Sequence, residues 1–235
     1  RQPERIRLLY VGSVTVSRGA LLHAELAMRL PHCELVMSGI CEPAVAAQII
    51  ALGDDANVGL IAADGEISWE RRSRQPPDRA STILLEGVGF FVPPESMLRL
   101  FKEDWTSCIA IFPCTEHYYE KELTKFFEYM AAGLPIVSSN FPTWRALVEQ
   151  PSAGIAVDPA DWSSITAAIQ WFHDDPKEAV AMGLNGRRAV QEHFNWQSQA
   201  DNLLGLYHRL IGDSRTHGRS PLATPKPVVK ASLED

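Results

Sequence analysis

Apolar residues along the chain come in short runs, most of them closed by glycine or proline. Each run is followed by a stretch whose apolar positions lie three and four apart. "IRLLYVGS" (6–13) reads as a buried strand, and "RGALLHAELAMRL" (18–30) as the amphipathic helix after it. "CELVMSG" (33–39) predicts a second strand and "EPAVAAQIIALG" (42–53) a second helix, with Pro near its start and Gly at its end. The rhythm breaks over 54–80, where the polar, basic "SWERRSRQPPDR" (68–79) predicts an exposed loop. It resumes with strands at 81–91, 107–113, 135–139 and 153–159, separated by helical patterns at 93–104, 122–132 and 143–150. From 160 the pattern is helical throughout, in three segments, with Asp161 or a neighbour as the first N-cap and Pro176 opening the second segment.

Strands alternating with helices of this length predict an α/β fold, a doubly wound, mostly parallel six-stranded sheet with extra C-terminal helices. One domain over 1–212 is expected. Residues 213–235 are polar, proline-containing and aperiodic, and predict a disordered tail. Sheets of this kind bind ligands outside the carboxyl ends of their strands, near the point where strand order reverses. The loops at 12–19, 39–42, 86–93, 113–122 and 139–143 are therefore the candidate site.

Bulk properties narrow the partners. A net charge of −7 over 235 residues argues against a nucleic-acid surface. No apolar run reaches the ~18 residues of a membrane span. Four cysteines without a C-x-x-C pair predict a reduced setting and no zinc cluster, with Cys108 and Cys114 as buried thiols. The seven histidines are scattered and no D-x-D occurs, so no metal site is expected. The expected location is the cytoplasm, with membrane contact at most peripheral, at the inner face. The chain opens on Arg1 with neither a signal peptide nor an initiator Met, so residue 1 is not expected to be the natural start, and a fragment of something longer or a product of processing is expected.

Three features carry candidate chemistry. In "EKELTKFFE" (120–128), Glu120 and Glu128 are separated by seven residues, the first in a strand-end loop and the second in the helix after it. The exposed N–H groups of that helix's first turn suit a diphosphate. A carboxylate deeper in the helix, Glu128, suits two vicinal sugar hydroxyls, since it only accepts hydrogen bonds. Its neighbours Phe126, Phe127, Met130, Ala131 and Ala132 argue against a freely solvated acid. In "VGSVTVSRGA" (11–20), Gly12 permits a tight turn, and Arg18 faces the same crevice as a cation for a diphosphate. The turn is neither G-x-G-x-x-G nor a P-loop, which weakens NAD and ATP-hydrolysis readings. Phe90, after the third strand, is a candidate for packing near a base.

"GSVTVSRGA", "KFFEYMAAGLPIVSSNFPTWRALV", "AGIAVDPAD" and "NGRRAVQEHFNWQ" together resemble the C-terminal, donor-binding domain of GT-B glycosyltransferases. The nearest group is the large retaining family, group 1 type, that includes sucrose synthase and bacterial mannosyl- and lipopolysaccharide glycosyltransferases. The resemblance covers roughly residues 6–211 and is most specific over 120–145. It implies a nucleotide diphosphate sugar donor of UDP or GDP type, transferred with retention and without a metal. It puts Glu120 by the transferred sugar, Glu128 on the ribose and Arg18 on the diphosphate. Ser13 stands where the family often has a second basic residue, and "EKELTK" replaces its glycine-rich run. Lys125 sits where some members carry a lysine at the helix start, and supplies the charge that Ser13 cannot. The acceptor, a glycan or lipid-linked acceptor, is expected on a missing N-terminal domain, leaving this chain alone nearly inactive in transfer. The alternatives are a non-catalytic interaction module of the same fold and, more remotely, an epimerase-like enzyme.

Overall fold

The near-continuous apolar run Ile6–Val11 forms β1, buried at the centre of a sheet covered on both faces, as parallel sheets require. In the computed structural model, which describes residues 5–52, 55–76 and 79–215, the chain continues with α1 (Ala20–Arg29), β2 (Cys33–Cys41), α2 (Pro43–Ala51), β3 (Ala56–Ile61), β4 (Ile67–Arg71), β5 (Ser81–Val88) and α3 (Pro94–Leu100). It then runs through β6 (Ser107–Ala110), α4 (Glu116–Tyr119), α5 (Thr124–Ala132), β7 (Ile136–Ser139), α6 (Pro142–Glu149), β8 (Gly154–Val157), α7 (Trp162–Asp174), α8 (Pro176–Glu192) and α9 (Trp196–Arg215).

The strands form one sheet in the order β4-β3-β5-β2-β1-β6-β7-β8. Every pairing is parallel except β3 with β4. The doubly wound, mostly parallel α/β class is as expected, but the sheet has eight strands rather than six. The two further strands come from 56–71, within the stretch read as a break and a loop. They form an antiparallel hairpin closed by the turn at Ala62–Glu66, where the Asp64 side chain accepts from Glu66 N. β4 is one edge of the sheet and is exposed along nearly its whole length, so Ile67 and Trp69 alternate with polar residues and form no continuous apolar run. The Asp64-Gly65 pair was the available clue, since such a dipeptide favours tight hairpins.

Trp144 is buried at the heart of an aromatic cluster with Phe112, Tyr118, Phe126 and Phe141, at centroid distances of 4.7–6.3 Å. Its indole N–H donates to the Lys121 carbonyl, fastening the loop between α4 and α5. At the other end of α5, Arg187 donates to the carbonyls of Ala131 and Ala132 (3.1 and 2.8 Å), occupying acceptors that the helix leaves free. Asp161 caps α7 by accepting from Ser163 N, and Pro176 opens α8, both as expected. Cys108 is buried, but Cys114 is exposed: it follows β6 in a loop rather than lying within the strand.

The chain divides into two compact units after Phe194, the second of which carries α9. Helix α9 continues to Arg215, past the boundary expected at 212; the rest of the expected disordered tail, 216–235, lies outside the described residues. Among the described residues no helix is long and apolar enough to cross a membrane.

Candidate functional site at the sheet's switch point

Strand order reverses between β1, which leads out to β2 and β5, and β6, which leads out to β7 and β8. The loops leaving these two strands therefore diverge and leave a crevice between them. The β1 loop passes through Gly12 and a 3-10 turn over Val16–Arg18, and enters α1 at Gly19. Gly19 has φ +81, and a Cβ there would lie 2.4 Å from the Ile111 carbonyl oxygen; no other residue allows the loop so close to the end of β6.

From the opposite side α5 brings Lys125 in its first turn. Tyr129, one turn on, holds the helix to β1 by accepting a 2.9 Å bond from Val11 N. Lys125 is 6% exposed, and its Nζ has no hydrogen-bond partner. The ammonium lies 3.6 Å from the Tyr10 ring centroid and 5.2 Å from that of Phe112. A Cβ on Gly12 would come within 3.1 Å of Nζ, so the glycine leaves room for the amine under the β1 turn. Half-buried Arg18 is the second cation of the site. Burial pushes the Lys125 amine well below the usual lysine range, Arg18 adds to the effect, and Glu128 partly offsets it. Two basic side chains thus converge where, among the described residues, no carboxylate bonds the inner one, an arrangement that favours a bound anion.

Beneath them lies His23, fully buried, with neither ring nitrogen hydrogen-bonded and its ring 4.9 Å from that of Tyr10. Burial, and then the Lys125 charge, push its pKa down from 6.5 to about 3, with the Ile111 carbonyl pulling the other way. The neutral ring is therefore the folded form. Since the unfolded chain protonates near pH 6.5 and the folded chain only near 3, stability falls as pH drops through that window. The loss attributable to His23 approaches about 1.4 kcal/mol per pH unit. Urea midpoints at pH 7, 6, 5 and 4 should fall less steeply in His23→Leu than in the parent. Parallel pH profiles would show that His23 is not the group responsible.

The geometry brings together Gly12, Arg18 and Lys125 and sets Glu128 one turn along α5 from Lys125. Glu128 is exposed, contrary to the expectation drawn from its apolar neighbours. The helix explains this: Lys125, Phe126, Tyr129 and Met130 share the inward face, and Glu128 falls outside that stripe. It remains close enough to act electrostatically on Lys125. Glu120 is exposed at the end of the four-residue α4, and Phe90 is half-buried in the turn after β5; neither is drawn into the cluster. Tyr10 and His23 are the members that sequence reasoning missed. Their spacing was the clue, since Tyr10 stands two residues before Gly12 and His23 one helical turn after Gly19. Among the described residues no group of three or more His, Cys, Asp or Glu is placed to hold a metal. A second crevice of about 410 Å³ lies at the ends of β6, β7 and β8, lined by Leu22, Cys114, Tyr119, Asn140, Phe141 and Asp158 among others.

The fold is a doubly wound α/β domain with two basic side chains, Arg18 and Lys125, gathered at its topological switch point. Residues 88–189 match the family Glycosyl transferases group 1. The MMP alpha-(1->4)-mannosyltransferase of Mycolicibacterium hassiacum is 36% identical over 100 residues, which are 42% of this chain and 24% of that enzyme. Sucrose-phosphate synthase from Thermosynechococcus elongatus has the same fold, with a TM-score of 0.62 at 23% identity over 90% of this chain and 47% of that one. HepE from Anabaena, solved in complex with UDP, gives 0.59 at 12% identity over 86% and 49%. The alignments thus span only about a quarter to a half of these relatives' lengths.

Proposed function

We propose that the chain is the donor-binding half of a transferase that takes a sugar, with retention, from a nucleoside diphosphate sugar of UDP or GDP type. The observation that carries this reading is the buried Lys125 side chain, its Nζ beside Gly12 and without a hydrogen-bond partner, with Arg18 close enough to act on it. The first-turn N–H groups of α5 have no side-chain cap and add their dipole. On this reading Arg18, Lys125 and that helix end hold the diphosphate and stabilise it as it leaves, so the positive charge comes from the protein rather than from a metal. Glu128 accepts hydrogen bonds from the ribose, Phe90 packs near the base, and Glu120 approaches the transferred sugar once a donor is bound. The acceptor, a glycan or lipid-linked acceptor, is held by a second domain. The UDP bound to the structural neighbour supports the choice of ligand class.

Calorimetric titration with UDP, GDP and ADP tests the reading. Binding of UDP or GDP supports it, and silence with all three favours a non-catalytic interaction module of the same fold. Glu128 gives a sharper test. Because it is exposed, Glu128→Ala should shift stability by no more than about 0.5 kcal/mol. It should weaken UDP binding by about tenfold, the loss of bonds to a charged acceptor. It should weaken 2′-deoxyuridine diphosphate less, since that ligand has already lost a ribose hydroxyl. Equal losses for both ligands would remove Glu128 from the ribose site.

A further inference from the structure

We propose that Lys125 takes up a proton as the diphosphate binds, so that occupancy of the site is linked to pH through this one amine. The proposal rests on the donor-binding reading and adds to it a property of the residue beneath the phosphates. Lys125 Nζ is sealed from solvent, has no hydrogen-bond partner and makes only ring contacts, to Tyr10 and Phe112. The groups facing it come from every neighbouring element. Tyr10 lies on β1 with Tyr118 of α4 acting on it, Arg18 on the β1 loop, His23 on α1, and Glu128 on its own helix.

Among these groups only Glu128 is acidic, and it is exposed and does not bond the amine. Arg18 repels the charged form. Tyr10 is held in its neutral, protonated state by burial, and its hydroxyl donates to the Ser13 carbonyl (2.9 Å), so it offers no phenolate. His23 is neutral, so it neither repels the ammonium nor neutralises it. The ring faces favour the cation, but burial away from any carboxylate disfavours it more, and the empty site leans to the amine. A diphosphate brings the missing negative charge directly onto Nζ and reverses the balance. One N–H bond forms on Nζ at the expense of buffer acid, and the residues closed over Nζ in the free protein move aside to admit the phosphate.

The sign follows by linkage. Binding is stronger where the proton is supplied freely and weakens as pH rises between the amine's pKa in the free and bound states, by up to about tenfold per pH unit for full coupling. The test is calorimetry of the whole chain with UDP and with GDP at pH 8 in buffers of differing ionisation enthalpy. At that pH the terminal phosphate, whose last pKa is about 6, is already ionised. The expected result is an observed enthalpy that varies linearly with buffer ionisation enthalpy, with the slope of proton uptake. Lys125→Arg, permanently charged, should bind without that slope. Melting curves for the variant establish that it is folded. A wild-type enthalpy that is the same in every buffer overturns the proposal while leaving the nucleotide reading intact, and so does a slope that persists in Lys125→Arg. Absence of heat with both nucleotides and all buffers overturns the donor reading and the proposal together.

Discussion

Replacing Lys125 by methionine is expected to weaken UDP or GDP binding about 10- to 150-fold while making the protein more stable. The first half follows from the loss of hydrogen bonds to a charged group, each worth about 1.5–3 kcal/mol, with 1.4 kcal/mol to each factor of ten. The second follows from burial. Lys125 is 6% exposed and its amine bonds to nothing, so folding must strip water from it without a protein partner in return. Methionine matches its length and fills the space over Tyr10 and Phe112 with polarisable apolar atoms. Substitutions of buried charges by well-packed apolar groups often stabilise by about 1–4 kcal/mol. In a domain of this size each kcal/mol raises the melting temperature by about 2–4 °C. The gain should shrink as pH rises towards 10.5, because the unfolded chain's amine then loses its proton too and holding the folded amine neutral no longer costs stability. Titration calorimetry and thermal melts on the same samples check both halves. A destabilised variant would mean that Lys125 is a structural residue, held by interactions stronger than its ring contacts.

Gly39→Ala is expected to lower stability by about 2–5 kcal/mol, combining strained backbone with overpacking. Gly39 has φ +145, and a Cβ there would lie 2.2 Å from the Gly12 carbonyl oxygen and 3.1 Å from its Cα. Backbone cannot yield as the tip of a flexible side chain can. Gly12 is held where it is by its N–H bond to the Ser38 carbonyl (2.8 Å), so the clash falls on the turn that lines the site. The same crowding recurs one strand further on, where a Cβ on Gly87 would meet the Gly39 oxygen at 2.2 Å. The carboxyl ends of β1, β2 and β5 are thus packed backbone against backbone. A urea titration at 25 °C should show the midpoint fall with an unchanged slope, and nucleotide binding should weaken in the fraction still folded. An unchanged midpoint would show that the three strand ends move apart easily.

The central sheet was readable because six of its strands are buried and therefore written as apolar runs; β1 and β6 leave almost nothing exposed. β4 was not, because an edge strand faces water and lacks a continuous apolar run; β3 is mostly buried, but its apolar run is short and broken by Asn57 and Gly59. The site was legible in part for a related reason. Arg18 and Lys125 sit at strand-end positions that the topology alone singles out, and Gly12 and Gly19 mark the turn between them. What the one-dimensional pattern cannot give is which side of a helix faces the crevice when charged and apolar residues alternate. Glu128 looked enclosed because Phe126, Phe127 and Met130 flank it, yet the helical turn carries it outward and carries Lys125 inward. Likewise His23 looked like an isolated histidine until α1 was laid against β1 and set its ring by Tyr10.

The most direct measurement is a crystal structure of the chain with UDP or GDP bound. The account predicts a phosphate oxygen within about 2.7–2.9 Å of Lys125 Nζ, the length of a charge-assisted bond, with Arg18 on the same diphosphate. A nucleotide seated instead in the crevice at Cys114, Asn140 and Asp158, with Lys125 still touching only Tyr10 and Phe112, would contradict it.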